Sequence, residues 1–272
     1  VNRKLQGIQH PNTFNKAPIN TQTFEFKYLD DSINEMMQKV QDAFQLERDF
    51  IMNVSHELLT PISILQNKIE NCMSDGQMDD ETAMKLVEMQ KTLLRLTKVV
   101  KALLYISKID NEQFLKNEIV DLKLSVAEVL LELEDKIEQK NLTITMDWEI
   151  EALLLHESNK TLIHTLFFNI ISNALKYNVR DGKINITAHK QDDFIVVTVK
   201  DTGCGIEEKN LSQIFERFKR FRPDDENSYG IGLPIVKKIA TFLNLELKVA
   251  SQLGVGTIFS IYFSSKLLKL KG

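Results

Sequence analysis

The stretch INEMMQKVQDAFQLERDFIMNVSHEL, from Ile33 to Leu58, decides the fold of the first part of the chain. A row of apolar residues recurs along it at alternating steps of four and three, and only Glu47 interrupts the row. This spacing keeps them on one face of a helix, as in coiled coils. The row consists of Ile33, Met37, Val40, Phe44, Ile51, Val54 and Leu58. We therefore predict a long amphipathic helix with a heptad seam.

The seam slips at Pro61, where Ile62 follows Leu58 after a second step of four, and then resumes through Leu65, Ile69 and Cys72. Proline removes a backbone NH group from the helix, so we predict a kink or local loosening there. In the segment from Ser74 to Glu81, we predict that Gly76 ends this helix and that Asp79 is the N-cap of a second one. The second helix has its own apolar seam, which consists of Leu86, Met89, Leu93, Leu96, Val100 and Leu103.

Two such helices joined by a short loop predict a helical hairpin. One hairpin cannot bury both seams by itself, whereas a homodimeric four-helix bundle would bury them. The alternative is a monomeric hairpin whose seams pack on the downstream domain. We favour the dimer.

The pattern changes at about Glu112 to a mixture of helices and strands. Helices are predicted at 124–139, 159–177 and 234–243, and strands at 142–148, 183–189, 194–200, 245–250 and 257–263. Short connections, such as that between His189 and Phe194, favour an antiparallel or mixed sheet with helices on one face. The predicted fold class is α+β, in which a dimeric helical hairpin precedes an α/β sandwich with a mixed, mainly antiparallel sheet. The predicted divisions are 1–27, 28–111 and 112–272.

Composition excludes several classes of protein. Apolar residues make up 43% of the 272 residues, with only five prolines and ten glycines, which is typical of a folded chain. The net charge of −4 argues against a nucleic-acid partner, and the two cysteines, Cys72 and Cys204, favour a reducing compartment. No apolar run approaches the roughly 20 residues of a membrane helix. Because the chain begins at Val1, we expect any membrane anchor to lie upstream of it.

A histidine and a glutamate lie side by side in NVSHELLTP, from Asn53 to Pro61. The heptad puts His56 at its outermost position, and Thr60 stands where an HExxH zinc site needs its second histidine. A carboxylate such as Glu57 can accept the proton of one ring nitrogen, which makes the other a nucleophile able to attack phosphorus. The alternative is an ordinary solvated pair on a helix surface.

A polar stripe runs along the predicted helix 159–177. Thr165, Asn169, Asn173 and Lys176 recur at helical spacing among leucine, isoleucine and phenylalanine. Amide oxygens and phosphates are ligands that suit Mg²⁺, so a complex of nucleotide and Mg²⁺ would satisfy the stripe. The alternative is a stripe that faces solvent.

Three glycine-containing segments follow: DTGCGI from Asp201 to Ile206, GIGL from Gly230 to Leu233, and GVGT from Gly254 to Thr257. The first comes directly after an apolar strand, where an aspartate can accept hydrogen bonds from a ring amine. The second opens a helix, whose free NH groups favour phosphate. Each is compatible with an ordinary turn, and no GxxxxGK[ST] or strand-borne GxGxxG motif occurs.

Together and in this order, these motifs resemble those of the sensor histidine kinases of bacterial two-component systems. The segment around His56 resembles the phosphoacceptor box, Asn169–Tyr177 the N box, and DTGCG the first glycine box. IFERF, from Ile214 to Phe218, is similar to the F box, and the segments at Gly230 and Gly254 to the later glycine boxes. The resemblance covers about residues 28 to 265.

The resemblance implies a catalytic role for three residues of the phosphoacceptor box. His56 would take the γ-phosphoryl group of ATP with Glu57 as the orienting base, and the phosphate would pass to an aspartate of a response-regulator receiver domain. Thr60 would position water when the enzyme dephosphorylates that regulator.

The resemblance also implies a site for ATP and Mg²⁺. Asn173 would coordinate Mg²⁺ with help from Asn169, Lys176 would contact phosphate, Tyr177 would line the base pocket, and Asp201 would bind the adenine amine. The other nucleotide-binding residues that it implies are Gly203, Gly205, Ile206, Arg220, Gly230, Gly232, Leu233 and Thr257.

Residues Phe24 to Met36 resemble the end of a HAMP relay, which implies the cytoplasmic part of a bacterial inner-membrane sensor. The sequence departs from the family pattern at Leu59, in the short acidic segment RPDDENSY from Arg222 to Tyr229, and at Leu243 and Asn244. These departures concern the predicted lid over ATP most. Two alternative functions follow, namely a non-catalytic dimeric scaffold with a degenerate ATP site and another ATPase of the same nucleotide-binding superfamily.

Overall fold

The computed structural model describes residues 23–74, 79–149, 153–219 and 229–270. The side chains of residues 47, 48, 51–53, 55, 56 and 267–270 lie outside this description. The chain divides into two compact units, Val1–Ser107 and Lys108–Gly272.

Helices α1 (Phe24–Ser74) and α2 (Asp80–Asp110) carry the two predicted seams. Helix α1 is continuous through Pro61, so the proline does not end it. Helix α2 begins directly after Asp79, the predicted N-cap. The Nε2 group of Gln66 donates a hydrogen bond to Thr97 Oγ1 at 3.3 Å, which links the two helices. Gly76 lies outside the described residues.

The seams are only partly buried within a single chain. Ile62 and Val100 are buried, at 5% and 8% exposure. Six other seam side chains stay exposed: Phe44, Leu58, Leu65, Met89, Leu96 and Leu103. One hairpin therefore leaves much of its apolar surface in contact with water, which is unfavourable.

The second unit alternates short helices and strands. Its helices are α3 (Leu122–Glu132), α4 (Glu134–Gln139), α5 (Lys160–Lys176), α6 (Glu208–Leu211) and α7 (Gly232–Phe242). Its strands are β1 (Glu118–Asp121), β2 (Thr143–Trp148), β3 (Leu153–Ser158), β4 (Lys183–Gln191), β5 (Phe194–Asp201), β6 (Glu246–Gln252), β7 (Gly256–Ser264) and β8 (Leu268–Leu270).

The main sheet has five strands in the order β2-β4-β5-β7-β6. Strand β2 is parallel to β4, and the other neighbours are antiparallel. The predicted α+β fold with a mixed, mainly antiparallel sheet is confirmed. A second sheet, in the order β1-β3-β8, was not predicted. Two of its strands, β1 and β8, have four and three residues, which is too short for a readable alternation.

The predicted helix 124–139 is wrong at one point, because the structure has two helices there. Leu133 separates them with φ −100° and ψ 4°, and its side chain is buried at 1% exposure. Its carbonyl accepts hydrogen bonds from the NH groups of Lys136 and Ile137, which start α4. The apolar periodicity runs through this junction and conceals it.

Helix α5 is the central helix of the second unit and contacts α3, α7 and β5. Asn159 caps its first turn, since the Oδ1 atom accepts a hydrogen bond from Leu162 N at 3.1 Å. One side of α5 is packed into the core through Leu162, Ile163, Leu166, Phe167, Ile170, Ile171, Ala174 and Leu175. Fully burying one of these leucine, isoleucine or phenylalanine side chains contributes roughly 1.5–3 kcal/mol. This packing fixes the helix and with it the predicted polar stripe.

Candidate functional site

The polar stripe of α5 is half-buried. Thr165, Asn169, Asn173 and Lys176 are each neither buried nor fully exposed. The Nδ2 group of Asn169 donates a hydrogen bond to the Thr165 carbonyl at 2.8 Å, which fixes the orientation of that amide. The stripe therefore does not lie on a fully solvated face.

The beginning of α7 lies directly against this stripe. A Cβ atom added at Gly232 would stand 2.6 Å from Asn169 Oδ1, so a side chain there would push the Asn169 amide out of its place. Glycine at this position lets the helix approach the amide. Leu233 is half-buried in the first turn of α7. The polar stripe of α5 and the GIGL segment, about 60 residues apart in the sequence, thus form one surface.

The C-terminal end of α5 meets the loop of the DTGCGI segment. The carbonyl of Tyr177, the residue that caps the C-terminal end of α5, accepts a hydrogen bond from Cys204 N at 3.1 Å. A Cβ atom at Gly203 would lie 2.4 Å from the same carbonyl oxygen. The Lys176 ammonium lies 5.3 Å from the centroid of the Tyr177 ring. The structure therefore brings the end of the N box and the first glycine segment together.

Asp201 stands at the end of β5 and is buried at 5% exposure. Its Oδ1 atom accepts hydrogen bonds from Gly203 N at 2.8 Å and from Thr257 N at 3.2 Å. Burial raises the pKa of this carboxyl, and the two NH groups oppose the rise. Among the described hydrogen bonds none reaches Oδ2, which can accept from a ligand.

The β6–β7 hairpin closes this part of the site. Its Gly254 N donates a hydrogen bond to the Cys204 carbonyl at 2.8 Å. Gly205 has φ +65°, and a Cβ atom there would lie 2.0 Å from the Gln252 carbonyl oxygen. Ile206 N donates to Ser251 Oγ at 2.8 Å. The GVGT turn thus packs on the DTGCGI loop, beyond what a plain hairpin turn requires.

The GIGL segment also contacts the F box. Gly230, with φ +63°, accepts a hydrogen bond from Phe218 N at 2.9 Å. Ile214 of the F box is buried at 4% exposure, whereas Phe218 is half exposed. Arg220 and all of the RPDDENSY segment except Tyr229 lie outside the described residues.

The residues of the predicted phosphoacceptor box lie in α1. Glu57 and Thr60 are exposed on the helix. The backbone of His56 is helical, and its side chain lies outside the described residues. The roles given to these three residues stay predictions.

Two supporting residues were missed by the sequence reasoning. The Lys140 ammonium donates hydrogen bonds to the carbonyls of Leu175, Lys176 and Asn178 at 3.1, 2.7 and 3.2 Å, so it caps the C-terminal end of α5. Asn178, buried at 8% exposure, accepts from Thr202 Oγ1 and donates to the Lys183 carbonyl. No local signal identifies Lys140, because its partners follow about 35 residues later.

Within the described ranges, histidine, cysteine, aspartate and glutamate side chains form no cluster of three or more suited to a metal ion. In the same ranges, the helices contain no stretch with the length and apolar character needed to span a bilayer.

Two family models match the chain. Residues 46–112 match the His Kinase A (phospho-acceptor) domain. Residues 158–267 match the histidine kinase-, DNA gyrase B-, and HSP90-like ATPase. The first match lies mostly within the unit Val1–Ser107, and the second lies entirely within the unit Lys108–Gly272.

Known proteins with similar sequences or folds agree with the two family matches. The heme sensor protein HssS of Staphylococcus saprophyticus is 28% identical over 264 residues, which cover 97% of this chain and 56% of HssS. The signal transduction histidine-protein kinase ArlS of Staphylococcus aureus is 27% identical over 269 residues, covering 97% and 59%. The crystal structure of full-length ShkA in complex with AMPPNP has the same fold, with a TM-score of 0.66 at 19% identity over 82% of this chain and 46% of ShkA. The chain thus spans somewhat more than half the length of HssS and of ArlS.

Proposed function

The chain belongs to the sensor histidine kinases of two-component systems, and from this premise we propose that it is an autokinase that phosphorylates His56 with ATP. The observation that carries the proposal is the convergence of the α5 stripe, Asp201, the glycine loop and the start of α7 in one unit. A second unit supplies the helix that contains His56.

Adenine binding is supported by the environment of Asp201. Its Oδ1 atom is occupied by two backbone NH groups, so Oδ2 can accept a hydrogen bond from the exocyclic amine. A charge-assisted bond of this kind contributes about 1.5–3 kcal/mol. Tyr177, at the end of α5, would line the base pocket.

Phosphate binding is supported by α7 and by the stripe. The first turn of α7 at Gly232 provides backbone NH groups and the positive end of the helix dipole. We assign Lys176, Gly230 and Arg220 to the same phosphate region, following the family motifs.

The side-chain amide oxygens of Asn169 and Asn173 are also suitable ligands for Mg²⁺. The Nδ2 group of Asn169 is used by the Thr165 carbonyl, so the Oδ1 atom is the one left for a cation. Asn173 lies one turn further along the same helix face. Mg²⁺ keeps water and substrate phosphates as its other ligands, so a cluster of carboxylates is not required. When bound, the ion would neutralise charge on the phosphates.

The proposed transfer forms one bond and breaks another. A ring nitrogen of His56 attacks the γ-phosphorus, the bond from that phosphorus to the bridging oxygen breaks, and ADP leaves. Glu57 would orient the ring by accepting its other proton. The phosphoryl group would then pass to an aspartate of a response-regulator receiver domain, and Thr60 would orient the water that removes it from there.

We also propose that the chain acts as a homodimer. The exposed seam side chains of α1 and α2 support this, because a four-helix bundle would cover them. The resemblance of residues 24–36 to the end of a HAMP relay supports a place on the cytoplasmic side of a bacterial inner membrane.

Labelling with γ-³²P-ATP and Mg²⁺ tests the proposal. The parent protein should take up label that is stable in base and lost in acid, and His56→Gln should take up none. His189→Gln, a histidine change in β4, is the matched control and should label like the parent. ATP binding without label in the parent would contradict transfer to His56. If the parent neither takes up label nor binds ATP, the result would support the non-catalytic scaffold.

A further inference from the structure

Ser251, near the end of β6, lies opposite Thr257 of β7 in the register of the terminal hairpin. Its hydroxyl oxygen takes part in three hydrogen bonds. The partners are Ile206 N at 2.8 Å, the Gly256 carbonyl at 2.8 Å and Thr257 Oγ1 at 2.9 Å. This one side chain therefore joins the glycine loop to the hairpin that follows.

The chemistry of the three partners fixes the direction of each bond. The Ile206 NH group can only donate, and the Gly256 carbonyl can only accept. A serine hydroxyl has a single hydrogen, so that hydrogen goes to Gly256. The bond to Thr257 must then run the other way, with the Thr257 hydroxyl donating to Ser251 Oγ.

This direction matters because Thr257 lies beside Asp201. Its backbone NH group donates to Asp201 Oδ1, and both residues are buried, at 6% and 5% exposure. With its hydrogen held by Ser251, the Thr257 oxygen offers only lone pairs, and an ionised Asp201 likewise offers only acceptors. Asp201 and Thr257 thus present acceptors alone to a ligand.

We propose that Ser251 is a positioning residue that makes the site select a 6-aminopurine over a 6-oxopurine nucleotide. The amino group brings hydrogens to these acceptors, whereas the oxo group brings lone pairs that they repel. Without Ser251, the Thr257 hydroxyl would be able to rotate and donate to the oxo group. This inference rests on the proposed ATP site, and it concerns a residue outside the motifs used to recognise that site.

The test compares ATP with ITP, because hypoxanthine differs from adenine only in having the oxo group at position 6 and a proton at N1. Dissociation constants for both, with Mg²⁺, are measured by calorimetry on the whole chain and on Ser251→Ala. In Ser251→Ala, we expect the ratio of the dissociation constant of ITP to that of ATP to fall by about fivefold. This factor corresponds to the free energy of one hydrogen bond between neutral groups. Ser251→Thr keeps the hydroxyl and should keep the ratio.

A double-mutant comparison separates selectivity from simple stabilisation of the hairpin. In a Thr257→Val background, Ser251→Ala should leave the ratio unchanged, because no hydroxyl remains to be oriented. If Ser251→Ala does not fold, Thr257→Val alone should lower the ratio and Thr257→Ser should preserve it.

Each contrary result has a distinct meaning. If Ser251→Ala weakens ATP and ITP by the same factor, Ser251 only stabilises the hairpin and the inference is overturned while the ATP site stands. A ratio unchanged by Thr257→Val also overturns it. If the parent binds neither nucleotide, the proposed function fails and this inference fails with it.

Discussion

Asp201 combines two opposing requirements in one side chain. A carboxylate is needed to accept the proposed amine, but burial makes its charged form costly and raises its pKa. Two backbone NH groups offset part of that cost. The residue is therefore suited to binding at the expense of stability.

Replacement of Asp201 by asparagine should separate the two effects. The amide oxygen can still accept both NH groups, but the charged acceptor is lost, so ATP affinity should fall by about 10- to 100-fold. Because the folded-state pKa is raised, this carboxyl favours the folded state only when protonated, and that contribution is lost as the pH rises through the folded-state pKa. At neutral pH, Asp201→Asn should therefore unfold at the same or a higher temperature.

Calorimetric titration and thermal unfolding at pH 7 measure the two effects together. The exposed Asp193, in the turn between β4 and β5, gives the control change Asp193→Asn, which should alter neither ATP affinity nor the unfolding temperature.

ATP affinity of the parent should also weaken as the pH falls toward the raised pKa of Asp201. If Asp201→Asn binds ATP with the affinity of the parent, this role for the carboxylate is refuted.

At the scale of elements, the site depends on loops that fit closely against one another. Gly205 and Gly254 both have positive φ, at +65° and +78°. They differ in their surroundings, since a Cβ atom at Gly205 would strike the Gln252 carbonyl and one at Gly254 would meet nothing within 4 Å.

This pair gives a matched prediction. Gly254→Ala should cost about 1 kcal/mol of unfolding free energy, from the left-handed backbone alone. Gly205→Ala should cost about 1–3 kcal/mol more, because the loop and the hairpin must move apart. Chemical denaturation measures both changes. Equal losses would show that the two segments do not pack as closely as described.

The elements that the sequence predicts well are those with a long, regular period. Helices α1, α2 and α5 repeat their apolar residues over many turns. Strands β4 to β7 place apolar residues at every second position over most of their length, and glycines or polar turns bound them. Strand β1 has too few residues to show a period. Asn244 departs from the family pattern, and it takes φ +55°, a left-handed conformation that asparagine tolerates.

The site was only partly predictable for a similar reason. Asp201 and Asn169 belong to compact local motifs, so their neighbours in sequence identify them. Lys140 and Ser251 act on groups that come close only in the folded chain, across about 35 and 45 residues. Their positions carry no local pattern, and only the hydrogen bonds identify them.

At the scale of the whole molecule, the two compact units have separate cores. Residues 108–272 contain the complete main sheet with α5 and α7, and also the groups of the proposed ATP site. We expect this unit, expressed alone, to unfold in one cooperative transition and to bind ATP with the affinity of the whole chain, within about twofold. Scanning calorimetry and titration check this, and a broad transition or lost binding would contradict it.

The exposed seam of α1 and α2 has a consequence for how much protein a cell must contain. If the helical unit completes its core only by pairing, mass action ties its folding to the number of copies present. Its melting temperature should then rise with protein concentration, while that of the sandwich should not. Dilution would melt the half that carries His56 and leave the half that holds ATP intact, so expression level itself would set how much of the population can signal.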